Sequence, residues 1–219
     1  MKNRIFEILN NIAKAVEDPP VEPACDAPST DPRPVPITDE WKEQQIKCCK
    51  CLVYGEAKCG DSACQKCAAW VMRNRRVKKV EKSWSSTACG QSLKTGEFEG
   101  GWNSPKHDKF PDCYCDRLTK PSDLRCISTA ENICRQVGLG TFDDGSVYPH
   151  PNDPTKGANY FTACGSEQDW MHCNIAKGIC KKVGGTCEAC GNCYYYCSEQ
   201  PRPCAELGVT PPTKAKPKK

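Results

Sequence analysis

CGSEQDWMHCNIAKGICKKVGGTCEACGNCYYYCSEQPRPC, residues 164 to 204, carries eight of the chain's twenty cysteines. What these sulfurs bind decides the fold. Two chemistries fit the sequence. Disulfide pairing removes entropy from the unfolded chain, and metal ligation stabilises only the folded one. Either would replace a core the rest of the chain cannot supply. Leu, Ile, Val and Phe total 32 of 219 residues, below the roughly 20% under which a charged chain tends to stay unfolded. Ordering the backbone costs ~1 to 2 kcal/mol per residue, which burial at ~25 cal/mol per Å² cannot offset with so few large apolar side chains. The expectation is a small disulfide-rich protein of short stapled helices and irregular loops, with little or no sheet.

The stretch divides in two. Its first half is one copy of an internal repeat: Ala176 to Gly184 reads AKGICKKVG, and Ala130 to Gly138 reads AENICRQVG. The upstream cysteines follow, Cys115, Cys126 and Cys134 in the first copy and Cys164, Cys173 and Cys180 in the second. A repeated unit over about 115–141 and 164–186 predicts two helices, near 129–137 and 167–183. Ser128 with Glu131, and Ser166 with Asp169, supply helix-start signals, and Gly138 and Gly184 supply C-caps.

The second half, Cys187, Cys190, Cys193 and Cys197, has C-x2-C-x2-C-x3-C spacing. It resembles the cluster-binding run of bacterial-type ferredoxins, which implies three thiolates on one [4Fe–4S] cluster and the fourth on its neighbour. Ser198 stands where that family usually has proline, and no second run of this spacing occurs. Cys187 and Cys190 also resemble a zinc knuckle, as do Cys64 and Cys67. Against metal, Cys48 and Cys49 are adjacent, which suits disulfides in different directions better than one tetrahedral site.

Outward from this stretch, residues 1–16 place Ile5, Ile8, Leu9, Ile12, Ala13 and Val16 on one stripe, an amphipathic docking helix. Residues 17–37 hold seven prolines and read as an extended, acidic arm. Lone Cys25 within it either ties the arm to the body or joins two chains. A protein partner is expected through residues 1–36. The Cys-rich body runs over 38–207 and a basic, disordered tail over 208–219. Its best helical pattern, 67–84, pairs an apolar face (Trp70, Val77, Val80, Trp84) with a basic one. Arg73, Arg75, Arg76, Lys78 and Lys79 would meet an anionic partner there, or simply face solvent. The net charge of +4 does not suggest a dedicated nucleic-acid binder.

The even cysteine count predicts an extracellular or particle-surface location. No apolar run long enough to span a membrane occurs, and Glu7, Asn10 and Asn11 interrupt what would be a secretion signal. The expected function is a structural or binding component of an exported or particle-borne assembly, such as a virion or surface layer. It would display Trp102, Tyr148 and Tyr194, Tyr195 and Tyr196 on fixed loops for protein contact, with no cofactor. An iron–sulfur or zinc protein is the alternative. A small exported toxin or hydrolase is the second, with Asp169 and His172 as acid–base candidates three apart on one helix. No P-loop, GxSxG, HExxH or Rossmann glycine run supports an enzyme.

Overall fold

Thr38 opens the body by capping a helix. Its hydroxyl accepts from the Trp41 amide at 3.2 Å, and Asp39 and Glu40 place negative charge in the first turn, where the helix dipole favours it. The resulting helix α1 spans Asp39–Ala57. The structure, a computed structural model, describes residues 36–57, 61–81, 84–92, 115, 118–138, 147–166, 168–183 and 186–211. The expected docking helix at 1–16, the arm up to residue 35, Cys25, Trp102 and the tail from residue 212 lie outside them.

Helix α2, Ser62–Lys78, begins at Asp61, whose carboxylate accepts from the Ala63 amide, and ends at Lys79 in the left-handed conformation with φ 44°. It lies earlier in the chain than the expected 67–84, because the Asp61 cap starts it upstream and Lys79 stops it before Val80 and Trp84. Helix α3 is Ala88–Ser92. Helix α4 is Pro121–Ile133, with Pro121 in the first turn, and continues as a π-helical turn over Cys134–Gly138. Proline suits the first helical turn because its missing N–H has no partner there anyway. Ser128 is therefore mid-helix and caps nothing.

The remainder builds around a small antiparallel sheet in the order β1-β3-β2. Strand β1 is Tyr160–Ala163, β2 Cys180–Lys182 and β3 Asn192–Cys197, with Tyr160 opposite Tyr195 and Cys180 opposite Cys197. Helix α5 (Asp169–Ala176), a 3₁₀ turn (Thr186–Cys190) and helix α6 (Cys204–Leu207) complete it.

The repeated sequence therefore adopts two conformations. In the first copy ICRQV is helical, while in the second Ala176 ends α5 and Cys180 starts a strand. Of the four positions at which the nine-residue copies differ, the one that bears on backbone conformation is Asn132 in the first copy and Gly178 in the second. Gly178 has φ 73°, a left-handed conformation that glycine adopts freely and that ends the helix.

Eight disulfides between described residues hold these elements. Cys48–Cys89, Cys49–Cys134 and Cys51–Cys115 tie α1 to the helical half. Cys164–Cys193, Cys173–Cys204 and Cys180–Cys197 staple the sheet half. Cys64–Cys190 and Cys67–Cys187 join the two. Cys126 is bonded as well, and no described cysteine is free. The expected disulfide-rich, mainly helical fold is thus present, with a small sheet added. Leu52, Val53, Trp70, Met72 and Val137 are fully buried among these sulfurs.

Asn159 stitches the sheet to its flank. Fully buried, it donates from Nδ2 to the Cys197 carbonyl and accepts from the Cys197 amide at Oδ1, each at 2.9 Å. Asn159→Ala strands both backbone groups, so it should lower unfolding free energy by about 3 kcal/mol, read as a lower urea midpoint at unchanged m-value. A second expectation concerns β3. Burial pushes the Tyr194 hydroxyl up to about 12 from 10.0; a hydrogen bond from Asn192 opposes this and the charge of Glu56 adds to it. A raised folded value keeps stability whole below the unfolded tyrosine value near pH 10 and loses it as pH climbs toward 12. Denaturant midpoints taken between pH 9 and 12 should fall, and Tyr194→Phe should flatten that slope.

Candidate functional site

The basic run on α2 turns inward. Arg73, Arg75 and Arg76 are 0%, 4% and 9% exposed. Arg73 donates through Nη1 and Nη2 to the Val147 carbonyl at 3.3 Å and lies over the Trp70 ring at 5.2 Å. Arg75 donates from Nε to the Asn159 carbonyl at 2.7 Å and sits against Trp84 and Tyr160 at 5.1 and 5.5 Å. Arg76 donates to the Ser86 carbonyl at 3.3 Å. These three arginines therefore do not form the expected anionic contact surface. Their planar heads suit carbonyls and ring faces, whereas compact, strongly hydrated ammonium groups stay outside. Lys78 and Lys79 are exposed.

The tyrosines divide likewise. Tyr194 and Tyr195 are each 2% exposed, held inside by Phe161 at 5.8 Å from Tyr194 and by the strand pairing of Tyr195 with Tyr160. Of these three consecutive tyrosines Tyr196 alone is half-buried, and it reaches a surface. It stacks beside Tyr148 at 6.2 Å and carries Lys181 over its ring at 5.3 Å.

Lys78, Tyr148, Pro149, Lys156, Lys181 and Tyr196 line an open cleft enclosing about 340 Å³. No carboxylate among the described residues lines it. Lys78, Lys156 and Lys181 make no ion pair among the described residues. The wall bearing Tyr148 and Lys156 is built by one buried acid. Asp153, 1% exposed, accepts from the Thr155 amide at 2.8 Å, the Thr155 hydroxyl at 2.6 Å, the Gly157 amide at 2.8 Å and Asn74 Nδ2 at 2.8 Å. These bonds hold Lys156 left-handed at φ 54°, which directs it from a closed turn. Tyr148 donates to the Gly157 carbonyl at 2.5 Å. At Gly157, with φ 82°, an added Cβ would meet the Pro149 ring at 3.0 Å, so only glycine lets these segments close. Burial, then the neighbouring Tyr196 and Asp153, raise the Tyr148 hydroxyl well above its ordinary value, so it remains a donor.

Other candidates are placed differently. Cys187, Cys190, Cys193 and Cys197 bond Cys67, Cys64, Cys164 and Cys180, one disulfide each. The ferredoxin-like run is thus split among four bonds that leave no thiolate, and no group able to hold a metal occurs among the described residues. The two zinc-knuckle-like pairs do meet, but as disulfides. Asp169 opens α5 and His172 is exposed on it, with no hydrogen bond between them; Cys173, beside His172, is bonded to Cys204. A second depression, lined by Glu81, Tyr160, Trp170, Pro201, Arg202 and Pro203, is apolar and carries Glu81 bonded to the Tyr160 hydroxyl.

Lys156 and Lys181 escaped the sequence reading. The usable signal for Lys156 was Asp153-Pro-Thr-Lys-Gly, an aspartate followed by a hydroxyl two residues on and a glycine beyond. Lys181 carried none, since its repeat partner Arg135 is engaged elsewhere, by Glu43 at 2.7 Å and Glu131 at 2.8 Å. No helix among the described residues is long and apolar enough to cross a membrane. No protein-family model, curated protein or solved structure matches the chain.

Proposed function

We propose that the protein is a disulfide-stapled binding component of an exported or particle-borne assembly, presenting the cleft of Lys78, Tyr148, Lys156, Lys181 and Tyr196 to an acidic protein surface. The observation that carries this reading is the cleft's unbalanced charge: three lysines line it, with no carboxylate among the described lining residues. Lysine ammonium groups near tyrosine rings suit carboxylates flanked by apolar groups, since the rings supply contact area and the lysines supply charge. The disulfides serve the same end. A wall already fixed before binding loses little freedom when a partner arrives, so more of the interaction appears as affinity. The eight disulfides among the described residues also fit a compartment that keeps cysteines oxidised.

Two measurements test this. Titration of the full chain with a polyglutamate peptide at low salt should give saturable binding, weakened about tenfold by Lys156→Glu with Lys181→Glu, or about 1.4 kcal/mol. Binding insensitive to that double change removes the cleft from the reading. Thiol labelling of the protein taken from its natural source should find the described cysteines oxidised; labelled Cys64, Cys67, Cys187 and Cys190 there would overturn the exported setting.

A further inference from the structure

The cleft's charge has a counterpart in the same chain. Residues 17–36 carry Glu17, Asp18, Glu22, Asp26 and Asp31 against Arg33 alone, with prolines at 19, 20, 23, 28, 32, 34 and 36. Proline-dense sequence favours the extended polyproline II form, which aromatic-lined grooves recognise because it is ordered before binding. Tyr148, Pro149 and Tyr196 supply such a lining, and Lys78, Lys156 and Lys181 supply the opposite charge.

Connectivity places the two within reach. Only residues 58 to 61 separate α1 from α2. Gln45, in the first half of α1, accepts at its side chain from the Cys89 amide at 3.0 Å, and Arg76, in the last turn of α2, donates to the Ser86 carbonyl at 3.3 Å. The first half of α1 and the end of the helix hairpin that carries Lys78 therefore both meet the segment 86–89. Residues 17–36 at ~3.1 Å each can span about 60 Å, ample to lay an acidic segment across a cleft at that same end.

We infer that the acidic, proline-rich stretch 17–36 docks into the lysine and tyrosine cleft of its own chain and must be displaced by the acidic partner. This regulation rests on the proposed use of the cleft for acidic partners, while the contact itself can be measured without any partner. The contact is a set of ammonium–carboxylate pairs over tyrosine rings, partly exposed, and therefore weak enough individually to exchange.

Zero-length carbodiimide coupling of the full chain joins carboxylates to amines already in contact. Mixed ¹⁴N and ¹⁵N copies should give amide-linked peptides joining Lys78, Lys156 or Lys181 to Glu17, Asp18, Glu22, Asp26 or Asp31, each uniform in label. At 1 M salt, where the screening length is ~3 Å, they should largely vanish. Exposed Lys66, in the first turns of α2 and at the hairpin's other end, serves as the control. Links equal to those of Lys66, or predominantly of mixed label, overturn the inference. In a second arm, changing those five acids to Asn or Gln should raise polyglutamate affinity about tenfold; unchanged affinity would show that nothing competes for the cleft. Should polyglutamate not bind at all, the proposed function fails, and the label pattern of the links still decides the inference.

Discussion

The structure depends on the burial of one polar run, Arg73-Asn74-Arg75-Arg76, in the second half of α2. Burying a cation without partners costs several kcal/mol, so each head must be satisfied or the helix could not occupy the centre. It does so by collecting backbone. Arg73 takes the Val147 carbonyl, Arg75 that of Asn159, Arg76 that of Ser86, and Asn74 the Asp153 carboxylate, the Thr155 hydroxyl and the Ala158 carbonyl. The segments so gathered, 147–160 and 84–87, contain little regular structure. Their position is specified by the helix. This is how a chain poor in large aliphatic residues fixes its loops: polar satisfaction replaces apolar volume, and Trp70, Trp84 and Tyr160 cover the charges with ring faces.

The disulfides act on a different part of the free energy. Cys64–Cys190 and Cys67–Cys187 close loops of 126 and 120 residues in sequence. On the chain-entropy account the first such closure contributes about 5 kcal/mol, and the second far less because it closes nearly the same loop. The second bond is better understood as orientation. One bond would let the sheet half pivot about the start of α2. Two bonds a helical turn apart fix that angle, and so fix β3, which carries Tyr196, relative to Lys78 at the other end of the same helix.

How much of this was legible in sequence follows from which interactions are local. The cysteine count and the shortage of aliphatic residues were enough for a disulfide-rich, mainly helical fold, because both are compositional. Helix α1 was hidden because Cys48, Cys49 and Cys51 face the core as hydrophobic residues do, yet read as a knot of cross-links. The repeat was visible and misleading: its two copies are identical at five of nine positions, but conformation turned on Gly178 against Asn132, and pairing turned on partners far away, Cys49 for Cys134 and Cys197 for Cys180. Direction of the basic residues was the least legible. Consecutive positions on a helix point to all sides, and whether Arg75 meets solvent or the Asn159 carbonyl depends on a segment more than eighty residues on.

The choice between arginine and lysine along this one helix also explains why a cleft exists where it does. Arg73, Arg75 and Arg76 are drawn in by carbonyls that accept their planar heads. Lys78 lies beyond the last of them, where α2 emerges from the body. The loop 147–157 is held against α2 by the Arg73 and Asn74 bonds, and therefore arrives beside Lys78 with Tyr148 and Lys156 already set. Strand β3 is paired between β1 and β2, so Tyr196 and Lys181, opposite one another in register, form the facing wall. Three elements that meet for structural reasons thus bring three ammonium groups together. A polyanionic segment laid across that cleft would meet three cationic side chains, none of which has an ion pair among the described residues.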